Sequence, residues 1–312
     1  MPSRPRRIRK GLFVVALAVA LAAGGLAADF ALTKGRAAAE GARLRVVAAE
    51  SSWGSIAAQL GGDRVEVTSV VGNPAADPHD YEPTAADARA VASARLVIEN
   101  GAGYDPWARK LVDANPVGRR IVLDVGDLVG VGAGGNPHRW YSPPDVQDVI
   151  RQIVRDYVVL DPAGAPYYRG RQARFERNGL ARYERLITTI GARHAGVRVG
   201  ASESVFAPLA LALGLDLVTP SSLLDAVSEG AQPTAADIAT IERQIARHEI
   251  RVWVVNDQNS TPDVARLSAA ARERGIPIVT ITETPTPAGT TFQAWQTRQL
   301  EALAAALAKA AR

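Results

Sequence analysis

Pro166-Tyr167-Tyr168-Arg169-Gly170-Arg171-Gln172-Ala173-Arg174-Phe175-Glu176-Arg177-Asn178-Gly179-Leu180-Ala181-Arg182-Tyr183-Glu184-Arg185-Leu186-Ile187-Thr188-Thr189-Ile190-Gly191-Ala192-Arg193-His194-Ala195 is a strongly charged stretch. Its apolar residues Phe175, Leu180, Tyr183, Leu186, Ile187 and Ile190 recur at helical spacing. As one α-helix it would run about 45 Å at ~1.5 Å per residue. That length suits a rod joining two lobes.

The flanking sequence supports the rod. Before it, residues 44–48, 65–71, 94–99 and 121–125 read as strands. They alternate with helical segments at 55–60, 84–91, 106–112 and 143–158. Ser142-Pro143-Pro144 opens the last of these, with Ser at the N-cap and Pro just inside. The glycine- and valine-rich run 126–135 reads as a loop. After the rod the alternation restarts, with strands at 197–201, 215–219, 250–255 and 276–281. Helices at 206–213, 234–248, 262–274 and 292–311 accompany them. Alternation of this kind predicts parallel sheets covered on both faces by helices. The expected organisation is an α/β protein of two doubly wound lobes, residues 43–160 and 196–312, joined by one long rigid helix at 166–195.

Composition narrows the function. The 312 residues contain no cysteine, so thiolate metal sites, cysteine nucleophiles, disulfides and lipidated cysteines are excluded. The net charge of +4 is misleading. Residues 1–39 hold seven of the 36 Lys and Arg and one of the 32 acids, leaving 29 basic and 31 acidic residues in the remainder. The body is slightly acidic, and nucleic-acid binding has no support. Arg4 to Lys10 followed by the apolar run Leu12–Ala23 and small residues is a secretory pattern. Residues 1–39 are therefore a signal peptide or an uncleaved N-terminal membrane anchor, and either places the body outside the cytoplasm, periplasmic or extracytoplasmic.

Four histidines occur in the chain, and two share a setting: Asp77-Pro78-His79 and Asn136-Pro137-His138. Proline fixes one backbone angle and pushes its predecessor towards an extended conformation, so each imidazole sits on a stiff turn. Both turns follow strands, where ligands of open α/β sheets bind. His194 and His248, near helix C-termini, are left out of the site. In the second half, Glu203 and Glu283 occupy equivalent places just past strands.

Together these stretches resemble a known pattern. Asp77-Pro78-His79-Asp80-Tyr81-Glu82-Pro83-Thr84, Asn136-Pro137-His138-Arg139-Trp140 and Ser202-Glu203-Ser204-Val205-Phe206 are similar to motifs of the zinc/manganese solute-binding proteins of ABC importers, the cluster A-I, ZnuA-like group. Glu99 to Trp107 and Glu283-Thr284-Pro285-Thr286-Pro287 support the likeness. The resemblance implies two α/β lobes on a rigid helix with a divalent metal between them. It places the metal ligands at His79, His138, Glu203 and Glu283. Glu283 departs from the family's usual Asp by one methylene, and the histidine-rich loop of many zinc members is absent.

A His₂Glu₂ set cancels the charge of a divalent ion and suits either tetrahedral or, with bidentate carboxylates, six-fold coordination. Imidazole favours zinc and carboxylate shifts the balance towards manganese, so the ligand types leave Zn²⁺ and Mn²⁺ open. The resemblance implies a monomeric, non-enzymatic carrier that delivers the ion as cargo to an ABC permease. Two alternatives are a metal-dependent hydrolase and a binding protein for a small organic solute. The first lacks a dense motif such as His-Glu-x-x-His. The second would use Trp53, Trp107, Trp140, Trp253 and Trp295 as pocket walls, whereas such residues are expected in the core.

Overall fold

The computed structural model describes residues 43–73 and 81–310, so the leader and His79 lie outside the described residues. The chain divides at Arg43, and the unit from Leu44 to Arg312 contains every element below.

The first half contains β1 (Leu44–Glu50), α1 (Ser51–Gly61), β2 (Val65–Val71), α2 (Ala85–Ser93), β3 (Leu96–Glu99), α3 (Pro106–Ala114), β4 (Ile121–Asp124), α4 (Val125–Val129) and α5 (Pro143–Leu160). All its strands pair in parallel, in the order β2-β1-β3-β4. The second half contains β5 (Arg198–Ala201), α8 (Ala207–Ala212), β6 (Asp216–Leu217), α9 (Ser221–Ser228), α10 (Ala235–Ala246), β7 (Val252–Asn256), α11 (Pro262–Glu273), β8 (Ile278–Ile281) and α12 (Phe292–Ala310). Its sheet, also parallel, repeats the plan as β6-β5-β7-β8. In each, the chain leaves the first strand to one side and returns on the other. This reversal opens a crevice at the carboxyl ends of β1 and β3, and again at β5 and β7.

Between the halves runs the expected rod: α6 (Ala165–Arg174), a π turn (Phe175–Gly179) and α7 (Ala181–His194). It is helical almost throughout but departs from one regular α-helix. The Leu180 amide donates to the Phe175 carbonyl at 2.9 Å, an i→i+5 bond that inserts the extra residue. Gly179 makes room for the turn, since a Cβ there would meet the Phe175 ring at 2.9 Å.

Alternation along the strands explains the layers. Val46, Ala48, Leu96 and Ile98 of the first sheet join Val199, Ala201, Val252 and Val254 of the second in one buried cluster. The intervening Val47 and Val97 pack with Val91 and Val112 under α2 and α3. Trp253 does the same with Ile241, Ile245 and Leu267 beneath α10 and α11. Both sheets are thus covered on two faces, and their inner faces share a core. Trp53, Trp140, Trp253 and Trp295 are buried in these layers as expected. Trp107 is only half-buried and packs on Tyr81 at 5.1 Å between ring centroids.

Three local details differ from the sequence reading. The run after Val125 starts with a helical turn, because the Asp124 carboxylate accepts the Asp127 amide and Gly130 ends it in the left-handed region. Ser142 takes the N-cap position of α5 but its side chain makes no cap bond, leaving Pro143 as the start signal. Residues 221–228 form α9, which buries Leu223, Leu224 and Val227 and was not anticipated. No helix among the described residues is long and apolar enough to cross a membrane.

Candidate metal centre

His138, Glu203 and Glu283 each offer a ligand atom, and the three atoms lie within 4.8 Å of one another. His138 Nε2 is 3.2 Å from Glu283 Oε2 and 4.0 Å from Glu203 Oε1. For comparison, ligand atoms on a tetrahedral ion with ~2.0–2.1 Å bonds sit ~3.3 Å apart. All three residues are buried, at 0, 1 and 2% exposure. Residues 65 and 80 positions apart along the chain are brought together because each follows a strand: His138 the loop after β4, Glu203 β5, and Glu283 β8. His79, the remaining ligand that the resemblance implies, lies outside the described residues. His194 and His248 are not part of the cluster.

The first half fixes the imidazole. Asn136 Nδ2 donates to the Ser204 carbonyl at 2.7 Å, which orients the amide and links the halves. Its Oδ1 then accepts the His138 backbone amide at 3.0 Å and lies 3.1 Å from Nδ1. An amide oxygen only accepts, so Nδ1 carries a proton, and Nε2, which faces the carboxylates, is the nitrogen left to bind a metal. That is the arrangement a metal needs, and a second partner on the far nitrogen commonly fixes it. Behind the turn, the Pro137 carbonyl accepts Asn100 Nδ2 at 2.8 Å, and Asn100 Oδ1 accepts Trp53 Nε1 at 3.0 Å. Tyr104 and Trp140 pack edge-on to the imidazole, at 5.8 and 5.6 Å between centroids.

The second half fixes the carboxylates. Glu203 Oε1 accepts the Ser228 hydroxyl at 3.0 Å, and Ser228 is in turn 2.7 Å from Ser204 Oγ. Glu283 Oε2 accepts the Tyr104 hydroxyl at 2.8 Å, a bond that crosses from the first half. Asn256 Nδ2 reaches both acids, at 2.6 Å to Glu203 Oε2 and 2.8 Å to Glu283 Oε1. The Glu283 backbone is pinned as well, because Gln258 Oε1 accepts the amides of Glu283 at 2.7 Å and Thr284 at 2.9 Å.

Beside this cluster is a cleft of about 510 Å³ between the 102–104 and 134–137 loops and the end of α9. Tyr104, Ser204 and Ser228 line it, so the cleft reaches the groups that hold the two acids. Asp225 and Glu229 add negative charge to its wall, which attracts cations.

Sequence reasoning missed Asn256, Ser228 and the role of Tyr104. It also missed Glu50, buried at the end of β1, whose Oε1 has no hydrogen-bond partner among the described residues. Burial, reinforced by Asp105 and Glu283, raises the Glu50 carboxyl well above the usual range.

Known proteins carry the same organisation. The manganese-binding lipoprotein MntA of Halalkalibacterium halodurans is 29% identical over 165 residues, about half of each chain (50% and 51%). The metal ABC transporter substrate-binding lipoprotein FimA of Streptococcus parasanguinis is 26% identical over 293 residues, covering 87% of this chain and 88% of that protein. The structure of the solute-binding protein FpvC from Pseudomonas aeruginosa in complex with Mn²⁺ superposes with a TM-score of 0.69 at 21% identity. That match covers 86% of this chain and 99% of FpvC, and shows the shared fold. Residues 46–306 match the family of ZnuA, the periplasmic component A of the zinc-uptake complex, and the chain belongs to that family.

Proposed function

We propose that the protein captures a divalent transition metal, Zn²⁺ or Mn²⁺, outside the cytoplasm and delivers it to the permease of an ABC importer, holding the ion with His79, His138, Glu203 and Glu283. The observation that carries the reading is the buried meeting of His138, Glu203 and Glu283, with Nδ1 engaged by Asn136 and Nε2 turned to the carboxylates. Two carboxylates buried this close repel unless positive charge sits between them. A divalent ion removes that cost and uses the Nε2 lone pair in the same step. The leader at 1–39 exports the chain and is then removed or retained as an anchor.

The family supports a carrier over the two alternatives. A hydrolytic metal site keeps an open coordination position for water, whereas four protein ligands close the shell. The four core tryptophans pack inside the layers, which leaves them unavailable as walls for a solute. Delivery follows from the geometry: the ion is bound by both halves, so a permease acting on a monomer need only shift one half against the other to weaken it.

Thermal melting of the leaderless protein tests this reading. Micromolar Zn²⁺ or Mn²⁺ is expected to raise Tm while millimolar Mg²⁺ leaves it unchanged, since ligand at ~100 times its Kd adds about 2.7 kcal/mol to the native state. Absence of any metal response would overturn it. The imidazoles must be unprotonated to bind, so metal affinity is expected to fall from pH 7.5 to pH 5. Equal affinity at both values would count against histidine ligands.

A further inference from the structure

The two glutamates leave their mode of binding open: each can offer one oxygen or two. One oxygen each makes a four-coordinate site with two imidazoles; two each make six. This choice decides which metal the site prefers. Zinc has no electronic demand for a larger shell and is at home in a tetrahedron, whereas manganese favours six-fold, oxygen-rich coordination.

Asn256, the last residue of β7, stands between the two acids. Its Oδ1 accepts the Gln258 backbone amide at 3.1 Å, so its orientation is set and the two N–H groups of Nδ2 point the other way. One meets Glu203 Oε2 at 2.6 Å and the other Glu283 Oε1 at 2.8 Å. The oxygens it leaves are Glu203 Oε1 and Glu283 Oε2, the two that face His138 Nε2. One side-chain amide thus ties back one oxygen of each carboxylate and turns the other towards His138, where it also accepts from Ser228 in Glu203 and from Tyr104 in Glu283. Asn256 is itself 1% exposed, and its backbone amide donates to Ser202 Oγ at 3.0 Å, so it has little room to swing aside.

We propose that Asn256 is a specificity-determining positioning residue: by engaging Glu203 Oε2 and Glu283 Oε1 together it holds both acids monodentate, keeps the site four-coordinate and selects zinc over manganese. The inference rests on the ligand set proposed above and adds the choice of cargo to it. Asn256 touches the ligands and never the ion. Its removal leaves Ser228 and Tyr104 on the metal-facing oxygens but releases Glu203 Oε2 and Glu283 Oε1 from the amide, so that each can approach the metal as a second donor, which benefits the ion with the larger shell.

Competitive titration of Zn²⁺ and Mn²⁺ against the leaderless protein and its Asn256→Ala variant tests this directly. Loss of an outer partner typically lowers metal affinity 10–100-fold. The expected result is a zinc affinity lower by about that factor with manganese affinity held or raised, so that the Zn/Mn ratio falls at least ~10-fold. A parallel loss for both metals, with the ratio unchanged, would show a merely structural role and overturn the inference. Zinc K-edge X-ray absorption on the unaltered protein needs no variant to fold. Four light ligands at ~2.0–2.1 Å with no added oxygen shell support the proposal, and five or six overturn it. Failure of the unaltered protein to bind either metal would instead overturn the ligand set, and this inference with it.

Discussion

At the carboxyl end of the first sheet, His138 is held by its own turn: by the Asn136 amide, by the Asn100–Trp53 relay behind Pro137, and by the rings of Tyr104 and Trp140. At the end of the second sheet, Glu203 and Glu283 are held by hydrogen bonds from Ser228, Asn256 and Tyr104. The acids at the two ends differ as well. Those of the second sheet face the His138 imidazole. Those of the first, Glu50, Glu99 and Asp105, have carboxyls pushed up by burial, Glu50 also by Asp105 and Glu283, Glu99 to about 7 and Asp105 to about 6. The end of one sheet therefore sets its acids beside an imidazole, while the end of the other buries acids whose carboxyls are raised by desolvation. The difference lies in whether a positive charge can be brought between neighbouring carboxylates.

The largest effect should come from breaking the imidazole side. His138→Gln keeps a polar side chain of similar reach but removes the nitrogen ligand, and is expected to lower metal affinity more than ~100-fold in a competitive titration, beyond the range of outer-partner losses. Next is Asn136→Leu, which leaves the ligands in place but releases the tautomer. A loss of roughly 10–100-fold is expected, much the same at pH 6 and pH 8, because the two neutral tautomers carry the same number of protons. Tyr104→Phe removes one bond to Glu283 and leaves the ring packed on His138. A drop near ~10-fold, the low end of that range, is expected, with metal-free Tm little changed.

The smallest prediction concerns an acid that serves no ion. Glu99 keeps a partner in Arg109, yet burial dominates and its carboxyl titrates near 7 rather than 4.5. A raised folded-state value means its contribution to stability is fully present below about 4.5 and is lost as pH rises towards 7. Glu99→Gln, which cannot ionise, should therefore match the parent at pH 4. At pH 8 it should be more stable by up to about 2–3 kcal/mol in urea unfolding, with metal affinity unaltered. A variant less stable than the parent at pH 8 would contradict this.

Much of this was legible in the sequence. Strand alternation and the charged rod specify two α/β halves, since a parallel sheet needs helical crossovers and leaves regular spacing. His138 was legible because Asn136-Pro137-His138 is a stiff turn among few histidines. Glu203 and Glu283 were legible as acids just past strands. The parts that were not are those that act through neutral groups. Asn256 is an amide at the end of a buried strand, and nothing local says which acids it will meet. Ser228 sits on α9, whose apolar Leu223, Leu224 and Val227 at helical spacing were a usable signal. Its contact with Glu203 depends on how that helix packs. The π turn was hidden because Phe175 and Gly179 fit an ordinary helix until the ring is placed.

The central claim is that one divalent ion is held jointly by the ends of both sheets. A crystal of the leaderless protein grown with zinc, measured on either side of the zinc absorption edge, tests it. A single anomalous peak is expected within ~2.0–2.2 Å of His138 Nε2, one oxygen of Glu203 and one of Glu283. A peak elsewhere, or one in contact with the residues of only one half, would contradict it.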